Sequence, residues 1–144
     1  MTLKYQHEII EVGKNGVKCP PDELTAPNNL LAFRFVFDDP KHVKNHIPVG
    51  VHKPQRVLTE HENRRCFLFS LSCFTKKDGA IAFFDEYKQT IKQFEKIVGN
   101  TICGGNIDVK DGLVGKPGRH THFELFEFQE CDLGAKFEPL HKLI

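Results

Sequence analysis

Apolar residues recur along the chain at two spacings, and the switches between them mark out the elements. Leu30-Leu31-Ala32-Phe33-Arg34-Phe35-Val36-Phe37 is rich in strand formers and is stopped by Asp38-Asp39-Pro40. Alternation puts Leu31, Phe33, Phe35 and Phe37 on one face of that strand and Arg34 on the other with Leu30, Ala32 and Val36. Cys66 to Phe74 runs without a charge, which predicts a central strand buried on both faces, with Ser70 and Ser72 sharing one of them. Ala80, Phe84, Tyr87, Ile91, Phe94 and Val98 then follow the helical period. They predict one long helix over about 79–98, with Asp78 as N-cap and Gly99 at its C-terminal stop. Arg119 to Phe128 returns to alternation and reads as a strand with His120, His122 and Glu124 in a row and Glu127 on the opposite face. Pro54 to Leu58 reads as a short strand, and Asn15-Gly16 as a hairpin turn after Ile9 to Val12. Strands outnumber helices. The expected class is α+β: a single domain over residues 1–144, with a mixed or mainly antiparallel sheet of five to seven strands and the long helix packed on it.

Composition adds few constraints. With 40% apolar and 27% charged residues the usage is that of an ordinary globular domain, and 144 residues suffice for one core. A formal net charge of +1 gives no electrostatic reason to expect nucleic acid or an anionic membrane as partner. The N-terminus lacks the basic and apolar regions of a signal peptide, and no apolar run approaches the ~20 residues that span a bilayer. A cytoplasmic protein is expected. The five cysteines are odd in number, widely spaced and without a CxxC, so reduced thiols packed as small hydrophobes are expected.

The candidate chemistry starts from His120, His122 and Glu124. Same-face residues two apart on a strand lie about 6.6 Å apart at Cα, so two imidazoles can reach one divalent metal ion. A catalytic zinc or iron needs a third ligand and an open position, which Glu124 or a histidine of the 42–52 region would supply. This reading gives a metal-dependent hydrolase or oxygenase. The plain alternative for the same residues is a solvated polar strand face.

A second arrangement is spread along the chain: an arginine on an early strand (Arg34 or Arg56), Ser70-Leu71-Ser72 on a strand ahead of an Ala- and Phe-rich helix, and a late strand with Glu124 and Glu127. This order resembles the Arg, Ser-Thr-Ser, Glu arrangement of ADP-ribosyltransferases. The resemblance implies NAD as cosubstrate, an arginine on its phosphates, a serine strand shaping the nicotinamide pocket and a glutamate polarising the ribose. Carried over residue by residue, it implies Arg56, Ser72 and Glu127 as catalytic residues, with Ser70 and Arg34 binding the cofactor. The chain departs from the pattern in lacking the middle threonine. It also spaces Glu124 and Glu127 three apart, where arginine-modifying members use ExE. A third reading is a non-enzymatic interaction or regulatory domain for a protein partner, in which some of the thirteen Phe are surplus to the core and form an exposed patch.

Overall fold

The apolar run after Asn29 forms β1 (Leu30–Val36) in a computed structural model that describes all 144 residues. β1 lies inside an antiparallel six-stranded sheet of order β4-β5-β2-β1-β3-β6. It pairs along its whole length with β3 (Thr101–Ile107), from Leu30 opposite Ile107 to Val36 opposite Thr101. On its other side stands β2 (Leu71–Phe74), which pairs with β5 (His122–Glu127) from Leu71 opposite Leu125 to Phe74 opposite His122. The edges are β4 (Gly112–Val114), beside β5, and β6 (Glu138–Lys142), which is exposed throughout. The expected α+β class and strand number are observed, and no helix is long and apolar enough to cross a membrane.

The 79–98 helix is the main departure. It is divided into α4 (Lys77–Tyr87) and α5 (Phe94–Val98), and Gln93 between them adopts left-handed geometry at φ 56°. In one continuous helix, positions ten apart stand about 15 Å apart along the axis. The break instead brings the Phe84 and Phe94 rings to 5.5 Å, both packed against Phe33, Phe35, Phe74 and Ile102 of the sheet. Burying both rings outweighs continuing a helix through Lys88-Gln89-Thr90-Ile91-Lys92, where Ile91 remains 37% exposed. Asp78 lies in the first turn of α4 and the N-cap is Lys76. Gly99 does end α5, at φ 114°, and a Cβ there would lie 2.2 Å from Val36 O, so only glycine fits where the chain passes the end of β1.

Other expected strands are helical. Tyr5 to Gly13 is no hairpin arm: α1 (Gln6–Gly13) buries Ile9 and Val12 against Leu68, Phe69 and Phe126. Pro54 to Leu58 is part of a helix, α3 (Gln55–Thr59), preceded by the single turn α2 (Val49–His52). The charge-free run begins as a 3-10 helix (Glu62–Phe69) and becomes a strand only at Leu71. The opposite face of the sheet carries Ala32, Val36, Leu71, Cys73, Cys103, Phe123 and Leu125, covered by Cys131, Leu133 and Phe137 around α6 (Leu133–Lys136). None of the thirteen Phe is exposed, so the core absorbs the rings that sequence alone left as surplus.

The thiols also differ from expectation. Cys19 and Cys66 form a disulfide across a sequence separation of 47, while Cys73, Cys103 and Cys131 are free and buried. The bond ties the N-terminal segment to the 3-10 helix that leads into Ser70. Closing a loop of this length removes roughly 4 kcal/mol of entropy from the unfolded chain. Replacing both Cys19 and Cys66 by Ser should therefore lower the unfolding free energy measured in urea by about that amount. An unchanged midpoint would show that the cross-link restrains nothing in the unfolded state.

Candidate functional site

β1 and β2 are neighbours in the sheet, yet they share a single paired position, Phe33 opposite Phe74. Towards the C-terminal end of β1 the strands part. A cavity of about 380 Å³ occupies the opening, lined by Arg34 and Phe35 on one side and Ser70, Leu71 and Ser72 on the other, with Glu124 on β5 beyond them. That volume is within the range of small-molecule sites. Loop 38–48, α2, α3 and the 3-10 helix form its outer wall.

Arg34 bridges the opening. Its Nη1 donates to Ser72 O at 2.5 Å, a carbonyl that a fully paired β1 would otherwise have engaged, and its Nε donates to Nδ1 of His46 at 3.2 Å. The residue is 8% exposed, both acceptors are neutral, and it takes part in no salt bridge. A buried guanidinium without a counter-ion is costly, and an anion entering the cavity would offset that cost. Burial, then the nearby Arg34 charge and Lys4, push the His46 pKa down to about 3, so the imidazole is neutral and accepts from Arg34.

Glu124 faces the cavity on the strand beside β2. It sits directly across from Ser72 in the β2–β5 register. Ser70 Oγ lies 2.6 Å from Glu124 Oε2 and 2.9 Å from Phe67 O; its one proton goes to the carboxylate, where the bond is charge-assisted. His122 Nε2 lies 3.5 Å from the other carboxylate oxygen, and its ring stacks on Phe83 at 5.6 Å. Burial lowers the His122 pKa and outweighs the raising effect of Glu124, which keeps the ring uncharged. Glu124 is thus an oriented carboxylate held by neutral neighbours.

Of the residues expected to act on NAD, Arg34, Arg56, Ser70 and Ser72 all line this cavity. Arg56 does so from α3 at the rim, where it is paired with Glu60 at 3.0 Å. Glu127 is elsewhere. It points to the opposite face of β5, is 3% exposed, and is paired at 2.8 Å with Lys4, which also donates to Cys131 O. The odd and even positions of one strand separate the two glutamates: Glu124 belongs to the cavity and Glu127 to the packing of the N-terminus.

The metal row is interrupted. Residues 119–121 form a 3-10 turn with His120 at φ 58°, and β5 starts only at His122. His120 turns to Glu86 on α4, with Nε2 2.5 Å from Oε2, and Arg119 contacts the other oxygen at 2.8 Å. These partners, His120 foremost, hold the half-buried Glu86 carboxyl below its usual range. His42 stacks on Phe37, and no group of three or more His, Cys, Asp or Glu is disposed to hold a metal ion.

Sequence reasoning missed the cationic wall. Lys44, Lys53 and Arg64 join Arg34 and Arg56 around the cavity. The signal was local: residues 41–65 hold six Lys or Arg against two Glu, in a chain of net charge +1. His52 also lines the cavity, and its Nδ1 is buried without a partner.

The depressed His46 pKa has a thermodynamic consequence. The unfolded chain binds a proton at His46 near its ordinary value of 6.5, whereas the folded chain resists it until about pH 3. Stability from this residue is complete above pH 6.5 and is lost as the pH falls towards 3. Urea unfolding between pH 7 and 4 should show a loss of at least about 2 kcal/mol that His46→Gln removes; identical pH profiles for both proteins would refute a neutral, half-buried His46.

The chain matches no protein-family model, no curated protein and no solved structure, so the functional reading rests on the residues of the cavity.

Proposed function

We propose that the cavity binds NAD and that the protein transfers ADP-ribose from it, using Arg34, Ser70, Ser72 and Glu124. The observation that carries this reading is the separation of charge across one cleft: a buried Arg34 with only neutral acceptors, and a Glu124 carboxylate held by Ser70. NAD has the matching polarity, with an anionic pyrophosphate at its centre and a cationic nicotinamide riboside at one end. Arg34, helped by the rim cations Arg56 and Lys53, takes the phosphates. Ser72, exposed on β2 opposite Glu124, borders the nicotinamide end.

The chemistry follows from that placement. The bond between ribose C1′ and the nicotinamide nitrogen breaks, and its electron pair leaves with nicotinamide, which becomes neutral. Positive charge develops on the ribose, as in other glycosidic cleavages, and a fixed carboxylate beside it stabilises that charge. An acceptor nucleophile then bonds to C1′ and releases its proton. Ser70 keeps Glu124 aimed, and neutral His122 leaves the carboxylate's charge undiminished.

The reading departs from the expectation set by sequence in two residues: Glu124, not Glu127, takes the acidic role, and Arg34, not Arg56, is the principal arginine. NAD labelled in its adenylate half, incubated with the protein and a cell lysate, should yield labelled macromolecules and free nicotinamide. Glu124→Gln should reduce both by at least about a hundredfold while leaving the fold intact. Arg34→Met should weaken NAD binding. Glu127→Gln, which disturbs the Lys4 pair outside the cavity, should retain labelling. Full labelling by Glu124→Gln, or none by the wild-type protein, would overturn the assignment.

A further inference from the structure

Arg34 is the one cavity cation held on the sheet itself, and its second anchor comes from outside the sheet. The chain leaves β1 at Val36 and returns through loop 38–48, which is fastened by Asn45. Asn45 Oδ1 accepts from Phe37 N at 2.8 Å, and its Nδ2 donates to Asp39 O at 3.0 Å. The next residue, His46, is forced into left-handed geometry at φ 58°, unusual for a non-glycine residue. Its ring stands edge-on to Phe137, with centroids 6.0 Å apart at 83°, and presents Nδ1 to Arg34 Nε. Backbone strain of this kind persists only where surrounding bonds enforce it. Here those bonds aim one neutral acceptor at one buried cation.

We infer that His46 is a positioning residue, which fixes the Arg34 guanidinium across the gap between β1 and β2 while leaving its positive charge free for the phosphates of the ligand. This inference rests on the assignment of Arg34 to NAD. The chemistry of the acceptor matters because a carboxylate at the same place would hold Arg34 equally well and cancel its charge. A protonated imidazole would repel it. A neutral ring does neither, and its half-buried, low-pKa state is consistent with that role. With Nδ1 accepting, the ring proton resides on Nε2.

The charge of the acceptor gives a test that a purely structural role would not satisfy. His46→Gln supplies a neutral acceptor, His46→Ala none, and His46→Glu an anion that pairs with Arg34. Calorimetric titration with NAD, and separately with inorganic pyrophosphate, reads the affinity of each variant; thermal melting reads the fold. We expect the Gln variant to bind within about threefold of wild type, and the Ala and Glu variants to bind at least about tenfold more weakly. The Glu variant should melt no lower than the Ala variant, and kcat at saturating NAD should change less than KM in the Gln and Ala variants. Wild-type affinity in the Glu variant would overturn the inference, as would affinities that simply follow melting temperature. Wild-type binding of pyrophosphate without NAD would overturn the proposed function alone, and the same variant series with pyrophosphate would still decide the role of His46. If the wild-type protein binds neither ligand, both are overturned.

Discussion

The structure depends on an incomplete strand pairing. β1 and β2 belong to one sheet, but they are joined only at Phe33 and Phe74, and beyond that point the Arg34 side chain occupies the place where ladder hydrogen bonds would run. Opening a sheet in its middle leaves backbone groups without partners, and each must be satisfied. Arg34 satisfies Ser72 O from the side, so the sheet remains one body while a cavity opens between its halves. β1 is held by full pairing to β3, and β2 by full pairing to β5, so neither half relies on the missing contacts.

Much of this was legible in the sequence, and the remainder was not for definable reasons. Alternation located β1 and the even and odd faces of β5, because the two-residue period is fixed wherever the chain does form a strand. It also placed Arg34 opposite the Phe face. The helix of 79–98 failed because its periodicity was sound but its length was not: the stripe is genuine in α4 and α5, and only three-dimensional packing requires Phe84 and Phe94 to meet. The run from Cys66 to Phe74 misled differently. An uncharged stretch signals burial without fixing geometry, and Glu62–Phe69 is a 3-10 helix whose Cys66 is tied to Cys19. No spacing rule links those two cysteines, since their partnership is made by the fold.

The site was half legible. Ser70, Ser72 and an arginine were identifiable as candidates, but choosing between Glu124 and Glu127 required knowing which face of β5 the cavity occupies. His120 left the row because residues 119–121 turn to contact α4, where Gly79 lies so close that a Cβ would fall 2.1 Å from His120 O. A glycine three residues into a helix gave no hint of that contact from sequence.

The two buried or half-buried glutamates of β5 are held in opposite ways, and the contrast fits the proposed division between a structural pair and a binding cleft. On one face Lys4 and Glu127 meet directly, and each neutralises the other. Around the gap between β1 and β2 a cation and a carboxylate border the same cavity without meeting: Arg34 is held by His46 and Ser72 O, and Glu124 by Ser70. A direct pair would stabilise the isolated protein more simply. Keeping the charges apart leaves each field unquenched, at some cost in stability, and the unpartnered His52 Nδ1 on the same cavity adds to that cost. Stability forgone at this cleft, in a fold whose other buried charged residues, Asp111 and Glu127, are both salt-bridged, suits the proposed polar ligand.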